Sequence, residues 1–246
     1  MYGQGYLPVG EKDENYVYMI QIDFFYSTQL TFFKRFCLST IPIKQKVFIS
    51  KYRNNISCDL KDFHIIILNS QEELLLKFAE LFKKYLLAFE IGFNTGYDWN
   101  FILKKVIKLK IENTFNRKLF KFARVNIVEN AKKIFKTEIK NTLDAMLNRY
   151  GLSEKVDLLY LPESADNLWY MFIYANAIKF KNNYKVLVKL SHQLLRLTKL
   201  SFNKYLISML VPETILKIYT IELAYYCSVD TLQLQELNLK HNIIGD

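Results

Sequence analysis

Glycine and proline, the residues that tight turns use most, are scarce in this sequence. Its 246 residues include 7 glycines and 4 prolines, where average usage predicts about 17 and 12. A sandwich or barrel of many short strands needs many such turns, so the composition argues against both architectures. Hydrophobic residues nevertheless make up 51% of the chain, which is enough to bury a core and excludes wholesale disorder.

Cysteine is also scarce, and no apolar run approaches the length of a membrane span. Cys37, Cys58 and Cys227 form no C-x-x-C pair, so neither a disulfide framework nor a zinc cluster is indicated, and we expect a reducing, intracellular location. The longest uncharged stretch, residues 167–178, is far shorter than the roughly 20 apolar residues of a transmembrane helix. Four acidic residues among the first thirty do not fit a signal peptide. The sequence predicts a soluble protein.

Positive charge exceeds negative charge. The chain has 34 Lys and Arg against 24 Asp and Glu, a formal net charge of +10. This excess favours a polyanionic partner, and nucleic acid is the first candidate. The alternative is a soluble basic protein whose abundant Lys, Asn, Ile, Phe and Tyr reflect an AT-rich genome.

Apolar runs typical of strands alternate with amphipathic stretches typical of helices over the first 150 residues. We predict strands over residues 16–25, 47–50, 63–68, 86–93 and 122–128. One helix should begin at Ser70, because Glu73 follows it at the capping-box spacing. Further helices are predicted over residues 98–109 and 129–150, the second ending at Gly151. The alternation predicts an α/β or α+β layered domain.

Residues 167–212 differ from the rest of the chain in charge. They contain seven Lys or Arg and no Asp or Glu. Four leucines at helical spacing predict an amphipathic helix there, namely Leu187, Leu190, Leu194 and Leu197. Such a helix could face DNA or a membrane surface, but a core-packed helix with a solvated basic face is the simpler interpretation.

Two segments carry candidate site residues. In residues 91–102, IGFNTGYDWNFI, a strand leads through Asn94 and Tyr97 to Asp98 at the start of a helix. A carboxylate at a strand end is well placed to hold a metal, although Asp98 could instead cap the helix. In residues 222–234, ELAYYCSVDTLQL, Tyr226 and Asp230 are one helical turn apart and share a face. An ordinary amphipathic helix is the alternative for this second segment.

Together the two segments resemble the second and third exonuclease motifs of family B DNA polymerases. There the patterns are Asn, two or three residues and aromatic-Asp, followed later by Tyr-x-x-x-Asp in a C-terminal helix. Residues 142–158 are similar to the family's intervening helix and turn. The resemblance is closest to the viral-type branch and covers most of residues 1–160 and 217–246. We interpret residues 163–212 as a helical, basic insertion in a single exonuclease-like domain of residues 1–246.

The resemblance implies a ribonuclease-H-like fold, a mixed sheet flanked by helices, that removes 3′-terminal nucleotides of DNA. Such nucleases use two Mg²⁺ ions, which prefer oxygen ligands. By resemblance, Asp98 and Asp230 are metal ligands, and their carboxylates should approach within about 8 Å. Tyr226 would orient the attacking water. Asn94 and Tyr97 would shape the single-strand channel, where bases stack on aromatic rings.

The chain departs from the family at its first motif. That motif is Asp-x-Glu on the opening strand, and it supplies the other two carboxylates. No D-x-E precedes Asp98, and the nearest candidate, Asp23, is followed two positions later by Phe25. Residues 5–20 are similar to the stretch that follows this motif. We therefore expect a fold truncated at its N-terminal strand, with an unpaired sheet edge beside residues 16–25.

These features predict a fragment of a proofreading 3′–5′ exonuclease domain that binds single-stranded 3′ ends of DNA. With two carboxylates of four, it should have little or no activity alone. We expect no DNA synthesis, because the palm carboxylates lie beyond the third motif in this family, and we expect no membrane partner. The main alternative is a non-catalytic module that binds single-stranded nucleic acid. A third class is an interaction protein whose basic, leucine-rich segment docks a partner or a membrane surface.

Overall fold

A computed structural model describes residues 9–13, 15–26, 28–29, 32–43, 48, 63–85, 89–92, 95–119, 123–126, 143–149, 151–152 and 212–241. The chain forms, in order, β1 (Met19–Phe25), β2 (Phe32–Ser39), β3 (Phe63–Ile67), α1 (Gln71–Tyr85), β4 (Phe89–Gly92), α2 (Thr95–Lys108), α3 (Glu112–Lys118), β5 (Ala123–Asn126), α4 (Leu143–Arg149) and α5 (Pro212–His241).

The strands form two sheets. In the larger sheet the order is β1-β2-β3, with β1 antiparallel to β2 and β2 parallel to β3. β4 and β5 form a separate parallel pair. A mixed sheet with flanking helices is consistent with the ribonuclease-H-like exonuclease fold, which confirms the predicted fold class.

Helices cover both faces of the larger sheet. Successive side chains of a strand point to opposite faces, and Phe36 and Leu38 of β2 belong to a buried cluster that also includes residues of α1, α2 and α3. Arg35 and Cys37 point to the other face, where α5 lies. α5 runs against β1 and also contacts β4, so this one helix links the two sheets.

The sequence does not predict β2, although it is the central strand of the larger sheet. A strand that is buried on both faces lacks the alternation of apolar and polar residues, and Lys34 and Arg35 interrupt its apolar run. The predicted strands over residues 16–25 and 63–68 are confirmed by β1 and β3. Residues 47–50 lie outside the described residues except for Phe48, which is helical, so the strand prediction is wrong at that residue.

α1 begins as the spacing of Ser70 and Glu73 predicts. The backbone N–H of Glu73 donates to Oγ of Ser70 at 3.1 Å. Oε2 of Glu73 in turn accepts a hydrogen bond from the backbone N–H of Asn69 at 2.9 Å, one residue earlier than in the usual capping box. The predicted apolar face of this helix is buried, including Leu74, Phe78 and Leu81.

The later predicted elements are confirmed where the structure describes them. β4, α2, β5 and α4 all fall within or overlap the predicted ranges. α4 ends as expected at Gly151, whose φ of 61° is the left-handed conformation that favours glycine. The backbone N–H of Leu152 donates to the carbonyl of Leu147 at 3.0 Å, which closes the helix end. The predicted insertion, residues 163–212, lies outside the described residues except for Pro212, where α5 begins.

A loop ahead of β1 is held on α2 by ion pairs. Nζ of Lys104 lies 2.6 Å from Oε1 of Glu11, and Nζ of Lys108 lies 2.9 Å from Oδ1 of Asp13. A Cβ at Gly10 would overlap the α2 backbone, so the loop approaches the helix closely. Part of the basic charge of α2 is therefore already paired within the chain. None of the helices in the described ranges is long and apolar enough to cross a bilayer.

A buried ion pair fixes α5 to the larger sheet. Asp23 of β1 and Arg35 of β2 lie directly opposite each other, and each side chain is 1% exposed. Nε of Arg35 donates to Oδ1 of Asp23 at 2.8 Å, and Nη2 donates to Oδ2. The hydroxyl of Thr231 donates to Oδ2 of Asp23 at 2.8 Å, and Nη2 of Arg35 also donates to the carbonyl of Ser228 at 3.2 Å. Both ions are thus hydrogen-bonded to α5.

Removing one ion should destabilise the fold far more than removing both. We expect Asp23→Leu to lower the free energy of unfolding by about 3–5 kcal/mol, because Arg35 would then be buried without a counter-ion. The double variant Asp23→Leu with Arg35→Met should recover most of this loss. Urea unfolding measures both. As a control, Glu80→Gln breaks only exposed pairs with Lys77 and Lys118 and should cost less than about 1 kcal/mol. A double variant no more stable than Asp23→Leu would contradict this account.

Candidate functional site

Asp98 lies in the first turn of α2, directly after the strand β4. The helix begins at Thr95, three residues earlier than predicted, so Asp98 lies inside the helix and is not its N-cap. Nε1 of Trp99 donates back to the carboxylate of Glu90 on β4, at 2.7 Å to Oε2. At Gly92 a Cβ would overlap Cγ2 of Thr95. The end of the strand and the first turn of the helix are therefore in close contact, which fixes the place of Asp98.

The carboxyl of Asp98 is chemically distinct from an ordinary surface carboxyl. Although the residue is exposed to solvent, the loss of part of its hydration raises the pKa of Asp98 to about 6. Desolvation penalises the charged form of a carboxyl, and a nearby cation would lower the pKa again. An exposed carboxylate with this property can accept a cation from solvent.

The structure describes one of the two predicted substrate-binding residues. Tyr97 is half-buried, and its ring centroid lies 6.4 Å from that of Phe101 on the next turn of α2. These two rings form an aromatic pair beside Asp98. Asn94 lies outside the described residues, so its role stays a prediction.

Tyr226 and Asp230 lie one turn apart on α5, as predicted from their spacing. Both are half-buried, and Oδ1 of Asp230 is buried. α5 contacts β4, the strand that leads into the helix bearing Asp98. The helix that carries Asp230 therefore contacts the strand that precedes Asp98, while the approach of the two carboxylates to within about 8 Å stays a prediction.

Sequence reasoning missed the groups that connect α5 to the sheet. It weighed Asp23 only as a remnant of the first motif and did not single out Arg35 or Thr231. The one signal for them in the sequence is an Asp and an Arg, each within a predominantly apolar run. Such charged residues are almost never fully buried unless they are paired. Glu90 was missed as well, because its partner Trp99 becomes apparent only when α2 folds back on β4.

The described residues do not complete a two-metal site. Asp98 and Asp230 supply the carboxylate oxygens that Mg²⁺ prefers. In the part of the chain that the structure describes, however, no three His, Cys, Asp or Glu side chains are close enough together to hold a metal ion. Asp23 already accepts hydrogen bonds from Arg35 and Thr231. This donor set is too small for a pair of ions and fits at most one Mg²⁺ that keeps most of its waters.

Comparison with known protein families identifies the chain. Residues 1–148 match the family model described as DNA polymerase family B, exonuclease domain. The match covers more than half of the chain, so the chain belongs to this family. No curated protein and no solved structure matches it significantly. The matched region includes Asn94, Tyr97 and Asp98 but ends before α5.

The close contact between Gly92 of β4 and Thr95 of α2 should be sensitive to one methyl group. We expect Gly92→Ala to lower the free energy of unfolding by about 1–3 kcal/mol, because the new Cβ overlaps Cγ2 of Thr95. Adding Thr95→Ser, which removes Cγ2, should restore most of the loss in urea unfolding. The control is Gly96→Ala, where a Cβ meets no atom within 4 Å and helix propensity should make the variant at least as stable. An equal loss with and without Thr95→Ser would show that another contact is responsible.

The pKa of Asp98 gives a signed pH dependence. In the unfolded chain the pKa should return toward 3.8, whereas in the fold it is about 6, so the folded state binds the proton more tightly. This carboxyl therefore opposes folding above pH 6, and the cost disappears as the pH falls through 6 toward 4. Asp98→Asn should thus be more stable than the parent at pH 7, and the difference should shrink on acidification.

Carboxyl-carbon NMR of Asp98 checks the same prediction directly. Its midpoint should lie near pH 6 and should fall when Mg²⁺ is added, since a cation favours the charged form. Glu80 provides a matched comparison, because the hydrogen bond from Lys77 lowers its pKa. A midpoint below 4 for Asp98, unchanged by Mg²⁺, would contradict the description of this carboxyl.

Proposed function

We propose that this chain is the part of a 3′–5′ proofreading exonuclease domain, from a viral-type family B DNA polymerase, that follows the first exonuclease motif. Its substrate is the single-stranded 3′ end of DNA. It has little or no nuclease activity without the Asp-x-Glu strand of that motif. Membership of the family supports DNA as the substrate and a metal-dependent reaction.

One observation carries the proposal. α5 bears the Tyr-x-x-x-Asp pattern of Tyr226 and Asp230, and it contacts β4, which leads directly to Asp98. The helix that bears the third pattern therefore packs against the strand that leads into the second.

The position of β1 supports a missing strand. β1 has a sheet partner on one side only among the described residues, since the order of its sheet is β1-β2-β3. α5 reaches from β1 to β4, which belongs to the other sheet. A strand that carries Asp-x-Glu and pairs with the open edge of β1 would lie under α5 and bring its carboxylates toward Asp98.

The residues of this chain have separate roles in the proposal. Asp98 and Asp230 hold Mg²⁺, Tyr226 directs a hydrogen bond to the attacking water, and Asn94 shapes the channel. Tyr97 offers its ring to a terminal base, and such stacking is worth roughly 1–3 kcal/mol per base. Bound Mg²⁺ supplies charge stabilisation and an activated water in nucleases of this kind. With only two carboxylates, its occupancy should be low.

We also propose that residues 1–246 form one domain, with residues 163–212 as a basic, helical insertion. α5 follows this segment in sequence but packs on β1, which precedes it. A chain that returns to the same sheet after a long segment is typical of an insertion. Deleting the segment should therefore leave the rest of the fold intact.

A second candidate function is non-catalytic binding of single-stranded nucleic acid. The net charge of +10 and the incomplete donor set for metal both favour it. In that case the aromatic and basic groups still bind DNA, but no cleavage follows, even when the carboxylates of the first motif are supplied.

Binding of single-stranded DNA should weaken steeply as salt rises. The expected slope of log K against log salt is about −0.7 for each phosphate contacted, measured by anisotropy of a labelled oligonucleotide. Lys189→Gln and Lys199→Gln, in the basic segment, should each reduce the slope by roughly that amount. Lys104→Gln is the control, because Lys104 is paired with Glu11 and should matter less. Salt-independent binding would instead favour an apolar interaction protein.

Cleavage should require the missing strand. The chain as given should not degrade single-stranded DNA in Mg²⁺ above background, and Asp98→Ala should behave identically. Extending the N terminus by a strand that bears Asp-x-Glu should produce 3′–5′ degradation, because all four carboxylates are then present. In the extended chain Asp98→Ala or Asp230→Ala should abolish activity, whereas Glu80→Gln, on α1, should not.

Two outcomes would contradict the proposal. Robust activity in the chain as given would show that the metal site is complete without the added strand. An extended chain that folds and binds DNA but never cleaves it would favour the non-catalytic binding module.

A further inference from the structure

The carboxylate of Asp23 has no remaining capacity for a metal ion. Oδ1 accepts from Nε of Arg35 at 2.8 Å and from Nε2 of Gln21 at 2.9 Å. Oδ2 accepts from Nη2 of Arg35 and from the hydroxyl of Thr231 at 2.8 Å. A carboxylate offers about four lone-pair positions, and all four are occupied. Because the side chain is also 1% exposed, Asp23 is not a substitute ligand for the first motif.

The same groups determine how α5 lies on the sheet. Ala224, Ser228, Thr231 and Gln235 form one stripe of the helix. Within it, Thr231 and the carbonyl of Ser228 bond the ion pair, and Nε2 of Gln235 donates to the carbonyl of Gln29 at 2.9 Å. These hydrogen bonds are spaced along the helix, so they resist both rotation of α5 about its axis and sliding along it.

Tyr226 and Asp230 lie on a different face of the same helix. With 3.6 residues per turn, they are roughly 130–170° around the axis from the stripe that bonds the sheet. Rotation of α5 by one residue position, about 100°, would carry both side chains away from their present direction. Apolar packing alone tolerates such adjustments, whereas hydrogen bonds to buried ions are directional and short.

We propose that Asp23, Arg35 and Thr231 are positioning residues for Tyr226 and Asp230. The ion pair is joined to α5 through the hydroxyl of Thr231 and fixes the rotation of the helix about its axis. It thereby fixes the direction in which the phenol of Tyr226 and the carboxylate of Asp230 point. The importance of this orientation for cleavage rests on the proposed function. The orientation of Tyr226 and Asp230 does not rest on the proposed function, and it can be measured separately.

The test uses variants of Thr231 in the full chain. Thr231→Val keeps the shape of the side chain and removes only the hydroxyl that joins α5 to Asp23. Thr231→Ser keeps the hydroxyl and should behave like the parent. Ser228→Ala is the matched control, because it removes a buried hydroxyl from the same helix that donates only to the carbonyl of Ala224 at 2.7 Å.

The measured signal is the fluorine NMR resonance of 3-fluorotyrosine placed at position 226 alone. Thr231→Val should shift or broaden this resonance, whereas Thr231→Ser and Ser228→Ala should leave it as in the parent. The double variant Asp23→Leu with Arg35→Met should give the same change as Thr231→Val while retaining most of its stability. An unchanged resonance in Thr231→Val and in the double variant would overturn the proposal, because the helix would then be held by apolar packing alone.

A second measurement addresses the function and uses the chain extended by an Asp-x-Glu strand. Thr231→Val should lower kcat about tenfold to a hundredfold with little change in KM, as expected when reacting groups are displaced by a fraction of an ångström to about 1 Å. Thr231→Ser, which keeps the hydroxyl, should have the kcat of the parent. A shifted fluorine resonance with unchanged kcat would overturn the link to catalysis. If the extended chain is inactive, the proposed function fails, and the fluorine signal still decides whether the ion pair aims Tyr226.

Discussion

Burial of Asp23 beside Arg35 is the constraint on which the arrangement of this chain depends. Neither charge is stable in the interior alone, so β1, β2 and α5 have to be assembled together for either to be satisfied. The hydrogen bond from Thr231 to Asp23 joins residues 208 positions apart. It links the first strand to the last helix, and it explains why a helix that follows a long basic segment packs on the first strand.

The candidate site residues belong to two separately stabilised units. One unit is β4 with α2, held by the hydrogen bond from Trp99 to Glu90 and by the close contact of Gly92 with Thr95. The other is α5, held by the buried ion pair. Asp98 belongs to the first unit, and Tyr226 and Asp230 belong to the second. Such a division allows each group to be fixed by its own local contacts.

Much of this could be predicted from the sequence, and the failures have physical causes. The capping of α1, the strand β4, the end of α4 at Gly151 and the shared face of Tyr226 and Asp230 all follow from local spacing. β2 could not be predicted, because a strand covered on both faces shows no alternation and because Arg35, normally a surface residue, is buried in it. The pairing of Asp23 with Thr231 could not be predicted either, since it depends on tertiary contacts and on no sequence spacing.

The central claim is that Asp98 and Asp230 share one metal site from which Asp23 is excluded. Carboxyl-carbon NMR of the aspartate-labelled chain, titrated with small amounts of paramagnetic Mn²⁺, tests it directly. The account predicts that the signals of Asp98 and Asp230 broaden together at the same Mn²⁺ concentration, while the signal of Asp23 stays sharp. Broadening of Asp23, or broadening of Asp98 and Asp230 at clearly different concentrations, would contradict it.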